Sequence, residues 1–342
     1  MIGAQYLLQE HLPRHSLSGE GTLRSIDTAQ AWRASFWNVA IVDYTQAYID
    51  RTAPRLNSHD QSLWKAAGIP LRRVDHVLVP ESLCGLGDDP SEAPAVMTET
   101  VACRTLIWII LRALAYAAAE KNNFQPSEES RNANGGTSPP FAPETWHIIR
   151  QHLSDWEDLL PDTFSPFATL PRPGNRGWTS ARQSSSETSG SSGGSTVTVP
   201  FPTLCYSSFM ASTASILYHF IQIFLLLHKP LDTSTSESFS RFASRRLAAY
   251  RQVSKEIDEH AEKICSICLG QQPGNDASQM HMAQPLHLAG LSFEGHEQRF
   301  VLEGLLKGIQ RGSGWSTEWI VTSLRGEWGW DAVVPERTHR NQ

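Results

Sequence analysis

The stretch whose reading decides the fold is Phe293-Glu-Gly-His-Glu-Gln-Arg-Phe300-Val-Leu-Glu-Gly-Leu305-Leu-Lys-Gly-Ile309, followed by Gly314-Trp315-Ser-Thr317-Glu-Trp319-Ile320-Val321, then Leu324 and Trp328-Gly329. Phe293, Phe300, Leu302, Leu305, Leu306 and Ile309 recur at helical spacing, so the segment predicts an amphipathic helix over Ser292–Gln310. Gly312 and Gly314 stop it, because a helix C-terminus often needs a left-handed residue. Ser316 or Thr317 is then placed to cap a second helix, Thr317–Gly326, with Trp319, Ile320 and Leu324 on its inner face. Trp315 is expected to wedge between the two helices, against Phe300 and Trp319.

The same periodicity extends outward along the chain. It predicts helices at Ile2–His11, Arg24–Arg51, Ser58–Ala67, Met97–Lys121, Glu144–Leu160, Pro202–His228 and Ser238–Leu269. No long period-two alternation appears, and proline and glycine fall between these segments, so a sheet is not expected. Three polar segments, 122–141, 171–199 (with its serine- and glycine-rich run) and 271–284, cannot bury enough apolar surface to offset the entropy of ordering. They read as flexible surface loops. The expected architecture is all-α: an irregular multi-helix array in one domain over residues 1–330, with a tail at 331–342.

Five segments in order resemble a known family. Ala31-Trp32-Arg33-Ala34-Ser35-Phe36-Trp37-Asn38-Val39-Ala40-Ile41-Val42-Asp43 is the first, although the family's arginine near Val42 is missing. The second is the helix from Trp146 through Trp156, Leu160 and Pro161 to Phe164 and Pro166. The third runs from Tyr218-His219 through Leu225 and Leu226 to Pro230. Ile264-Cys265-Ser266-Ile267 with Pro285-Leu286-His287-Leu288-Ala289-Gly290 is the fourth, and the terminal helix–turn–helix is the fifth. Together they are similar to the fungal-specific transcription factor regulatory region of the binuclear zinc cluster family. The resemblance implies a helical effector and dimerisation module in the nucleus, controlling metabolic or secondary-metabolite genes. It also implies pairing with itself or with intact zinc cluster relatives, and leaves room for a small-molecule effector.

Charge and cysteine chemistry set limits on that reading. The family's DNA-reading module needs six clustered cysteines whose thiolates share two zinc ions. The five cysteines here (84, 103, 205, 265 and 268) are scattered. The net charge is −6 and no basic stripe is evident, so specific DNA binding by this chain alone is not expected. Arg241, Arg245, Arg246 and Arg251 are the densest basic cluster, but Glu256, Asp258 and Glu259 follow on the same helix, which reads as a solvated face. An odd, dispersed set of cysteines argues for a reducing compartment, and the apolar run Met1–Gln9 is too short for a signal peptide. Phe201–His228 is long enough to span a bilayer, but His219 and Gln222 sit near its middle, so a buried core helix is expected and no membrane partner.

Motifs with catalytic or metal chemistry are weak. Cys265, Cys268, His281 and His287 match a two-cysteine, two-histidine zinc spacing, yet the cysteines end a long helix and the spacer lacks a finger's apolar residues. Cys265 and Cys268 therefore read as small buried hydrophobes. His219 reads as a hydrogen-bonded core histidine. Trp32, Trp37, Trp108, Trp146, Trp156, Trp315 and Trp319 read as core residues, with the lining of a small-molecule pocket as the other option. No nucleophile, phosphate-loop or metalloprotease motif occurs, so no catalytic, metal or cofactor residue is assigned and the chain is not expected to be an enzyme. The alternative is a soluble helical enzyme or small-molecule-binding protein of a biosynthetic pathway.

Overall fold

The computed structural model describes residues 22–84, 97–124, 143–171, 200–230, 239–271 and 279–330. The expected helix at Ile2–His11, the tail and most of the three polar segments lie outside these residues. Nine α-helices and two two-stranded antiparallel ladders make up the described part, so the fold is all-α, as the periodicity indicated. The chain groups into two compact units: Met1–Phe164 with Leu227–Ser234, and Ser165–Leu226 with Thr235–Gln342.

In the first unit, α1 (Thr22–Asp50) presents Trp32, Phe36, Trp37, Ala40, Tyr44 and Ala47 as one buried stripe. It ends in a chain reversal organised by Asp43, whose carboxylate accepts hydrogen bonds from the backbone N–H of Arg55 and Leu56 at 3.0 and 2.9 Å. Helix α2 (Gln61–Ala67) follows, capped at its start by the Asp60 carboxylate, which accepts from Leu63 N–H, and at its end by Gly68 at φ +92°. The Phe36 ring meets Trp37 and Trp64 edge-on at 5.2 and 5.3 Å, and Trp37 Nε1 donates to Ala67 O, which locks α2 onto α1.

Strands β1 (Leu71–Val74) and β2 (Val77–Pro80) form a tight hairpin the periodicity did not signal. Its turn puts Asp75 and His76 both at positive φ, the geometry of a two-residue hairpin turn that suits the strand twist. Four-residue strands are too short for a readable alternation. Helices α3 (Glu99–Phe124) and α4 (Pro143–Asp158) pack together, with Trp146, Ile149, Leu153 and Trp156 forming the buried face of α4.

The second unit opens with β3 (Ala168–Leu170) paired antiparallel to β4 (Thr203–Cys205), with Ala168 opposite Cys205. The helix expected from Pro202 therefore starts later, as α5 (Phe209–Leu227). It is buried on nearly every side, which accounts for its membrane-like composition. Two helices are long and apolar enough to cross a membrane, Glu99–Lys121 and Phe209–Leu227, and each is 78% buried in the fold. Helix α6 (Phe239–Leu269) is followed by α7 (Ala283–Gly290), which takes up the end of a segment expected to be loop. Gly290 sits where a Cβ would run into the side chains of Leu324 and Leu302, so its lack of a side chain permits the close packing there.

Helices α8 (His296–Ser313) and α9 (Glu318–Glu327) form the predicted helix–turn–helix, with Gly314 at φ +72° closing α8. Details of its packing differ from expectation. Phe293, Leu302, Leu306, Ile309, Ile320 and Leu324 are buried, but Phe300, Trp315 and Trp319 are 51%, 40% and 43% exposed. Trp315 is not a wedge. Thr317 takes that role: fully buried, it donates its hydroxyl to Leu306 O at 2.8 Å instead of capping α9. Trp328 closes the motif by donating Nε1–H to Gly290 O at 2.9 Å. Trp315→Ala should therefore lower stability by no more than about 1 kcal/mol in urea unfolding. A loss above about 3 kcal/mol would restore the wedge.

Candidate functional site

The residues singled out by zinc-like spacing do not assemble. Cys265 and Cys268 are buried on α6, where burial pushes both thiols up. No group of three His, Cys, Asp or Glu side chains able to hold a metal occurs among the described residues. His219 is hydrogen-bonded, as expected, with its Nδ1 2.9 Å from Nδ1 of His260. One ring must carry the shared proton and the other must be bare. Burial, then His260 and Lys263, push His219 down to about 3.

That depression carries a pH signature. The unfolded chain takes up a proton at His219 near pH 6.5, whereas the folded chain does so only near pH 3. More protons bind the unfolded state between these values, so the contribution is complete above pH 6.5 and is lost as pH falls below it. Wild type should lose stability between pH 7.5 and 5.5 by about 1 kcal/mol more than His219→Gln. Parallel losses in urea titrations of both proteins would count against the assignment.

Two places in the structure concentrate chemistry. The first, in the first unit, lies on one face of α3, where Thr105, Trp108 and Arg112 follow at i, i+3 and i+7. Trp108 is fully buried and donates Nε1–H to Ser58 O at 3.0 Å. Arg112 stacks its guanidinium over the Trp108 ring at 4.9 Å and donates from Nη1 to Leu78 O at 3.1 Å. His152 of α4 lies 5.7 Å from the Trp108 ring, and Ser82 Oγ is 2.9 Å from Thr105 Oγ1. Burial pushes Arg112 down to about 10, while burial and the neighbouring Arg112 push His152 down to about 3. His59 is likewise lowered by burial, Arg112 and Arg73. At neutral pH the cluster is a single buried cation, Arg112, among neutral imidazoles, with Arg73 exposed to solvent near His59, which suits binding an anion better than general base catalysis.

The second place, in the second unit, is the first half of α6. Every residue from Ser244 to Gln252 is exposed, including Leu247 at 52% and Tyr250 at 57%. Leu247, Tyr250, Ser254, Ile257, Ala261, Ile264 and Cys268 recur at alternating spacings of three and four, so they lie on one stripe. Its C-terminal part, Ala261, Ile264 and Cys268, is core. Its N-terminal part faces water and is flanked by Arg246 and Arg251, with Arg245 on the opposite side of the helix and Lys255 paired with Glu259 at 3.6 Å. Sequence reading found the arginines but missed this surface, because the apolar stripe looks the same whether or not something packs on it.

The chain is 27% identical over 300 residues to the transcription activator AMTR1 of Alternaria alternata. The match covers 88% of this chain but only 36% of that protein, so the chain spans about a third of the length of this curated relative. No family model matches the sequence. No solved structure matches it. The chain is thus similar, over most of its length, to part of a transcription activator.

Proposed function

We propose that this chain is a nuclear transcriptional regulator of a metabolic or secondary-metabolite pathway, acting through protein contacts made by its helical region. The observation that carries the reading is the long match to a transcription activator, with family-like motifs that fall on helices of the fold. The exposed half of α6 supplies a contact surface. Arg246 and Arg251 border its exposed apolar residues Leu247 and Tyr250, so the reading favours a partner presenting an amphipathic helix with acidic flanks, such as a relative that carries the DNA-reading module. With a net charge of −6 and five scattered cysteines, these residues are not assigned DNA selectivity of their own.

Deletion in the host with transcript profiling tests the core of the proposal, alongside a fluorescently tagged copy to follow location. Loss of a coherent set of pathway transcripts and nuclear fluorescence are expected. Arg246→Glu and Arg251→Glu combined should abolish rescue without lowering protein level, since both side chains are exposed. Cytoplasmic location with unchanged transcripts and one missing metabolite-converting activity would favour the enzyme alternative. Nanomolar sequence-selective DNA binding by the purified chain would overturn the division of labour proposed here.

A further inference from the structure

We infer that the α3 face formed by Thr105, Trp108 and Arg112, with His152 from α4, is a binding site for a small organic carboxylate. Arg112 is only 9% exposed, and its guanidinium is held by one carbonyl, Leu78 O, and by the Trp108 ring. No carboxylate pairs with it among the described residues; the titratable groups that sense its charge are two histidines, His59 and His152. An ion removed from water costs several kcal/mol unless a counter-charge and further hydrogen bonds compensate it. One carbonyl satisfies one of the five N–H donors of a guanidinium.

A second, independent observation sits beside it. His152 is 4% exposed, and its Nδ1 is buried with no hydrogen-bond partner. Buried polar atoms in native interiors are satisfied by protein, ordered water or a ligand, so this atom offers a ligand a hydrogen-bonding position. Both groups flank the same indole, Arg112 stacked on it and His152 tilted against it. The surrounding frame is well tied: Trp108 is anchored to Ser58 O, and the Ser82 and Thr105 hydroxyls bond each other. Such a frame holds the guanidinium fork in place before a ligand arrives, which reduces the entropy lost on binding.

The charge balance selects the ligand class. One guanidinium neutralises one carboxylate, and its planar fork matches the two carboxylate oxygens. A phosphate dianion would leave a net negative charge among neutral imidazoles and apolar walls, which burial disfavours. The site therefore fits a monocarboxylate. This inference stands apart from the regulatory proposal, since the site would bind its ligand in either a regulator or an enzyme.

The test uses the full chain in differential scanning fluorimetry and isothermal titration calorimetry. Sodium acetate, sodium benzoate and sodium phosphate are compared with sodium chloride at matched ionic strength and pH 7. Acetate or benzoate at 10 mM (about ten or more times its Kd) should raise Tm by roughly 2–4 °C, with phosphate no better than chloride. Arg112→Met should abolish the shift. Should that variant not fold, Arg112→Lys, which keeps the charge but loses the fork, should weaken the carboxylate by about tenfold or more in calorimetry. The inference is overturned by no carboxylate effect in wild type, by an equal effect in Arg112→Met or Arg112→Lys, or by stabilisation from phosphate alone.

Discussion

Replacing Trp156 by alanine is expected to lower unfolding free energy by about 3–5 kcal/mol, a large share of the stability of an ordinary domain. Trp156 is 1% exposed on the inner face of α4. Its indole donates Nε1–H to Ala102 O of α3 at 2.8 Å and meets the Phe164 ring edge-on at 6.1 Å. Deleting it removes the transfer energy of a large aromatic, leaves a cavity between two helices, and strips a buried carbonyl of a partner. Trp156→Phe should recover most of the packing and cost about 1–2 kcal/mol, chiefly through the lost hydrogen bond. Urea unfolding of both variants separates the two contributions. A loss below about 1 kcal/mol for Trp156→Ala would mean that α4 is not anchored on α3 as described.

The second large effect belongs to Gly270, just beyond α6. A Cβ there would overlap the backbone carbonyl of Leu204 in β4, a group that cannot rotate aside as a side chain can. Gly270→Ala should therefore push β4 off the end of α6 and cost about 3 kcal/mol, at the upper end of ordinary overpacking. Gly308→Ala is the contrasting control. Gly308 lies inside α8, and a Cβ there meets nothing, so alanine should stabilise by about 0.5–1 kcal/mol. Thermal unfolding compares the two, and hydrogen exchange at Thr203–Cys205 reports whether β4 is the element that loosens. If Gly270→Ala unfolds at the wild-type temperature with β4 still protected, the close approach is not a constraint on the fold.

Helix existence was legible because burying one stripe of a helix imposes a period that survives any particular packing. Trp32, Phe36 and Ala40 of α1, and Ile149, Leu153 and Trp156 of α4, show that period plainly and are buried. The hairpin at Leu71–Pro80 was not legible, since its four-residue strands carry no alternation and its turn uses Asp75 and His76 where glycine or asparagine would have signalled it. Helix α7 was hidden for a related reason: eight residues with Pro285 near the start give barely two turns to read.

The candidate sites divide in the same way. The arginine cluster of α6 could be read from the chain, because it is local in sequence. Arg112 gave no signal, since its meaning comes from Trp108 beneath it, His152 on a different helix, and Leu78 from the hairpin. Trp315 and Trp319 show the converse. Their helical register marked them as core, yet each stands about two-fifths exposed because Thr317, Ile320 and Leu324 fill the α8–α9 contact.

By itself the sequence determined the helical class and the position of the long helices, because hydrophobic periodicity is a property of the chain. Only tertiary structure decided which part of a stripe is covered. On α6 one continuous stripe is core at Ala261, Ile264 and Cys268 and open to water at Leu247 and Tyr250. The physical reason is that burial depends on a partner surface brought from elsewhere in the chain, and a periodic pattern records the demand for such a surface without recording where it is met.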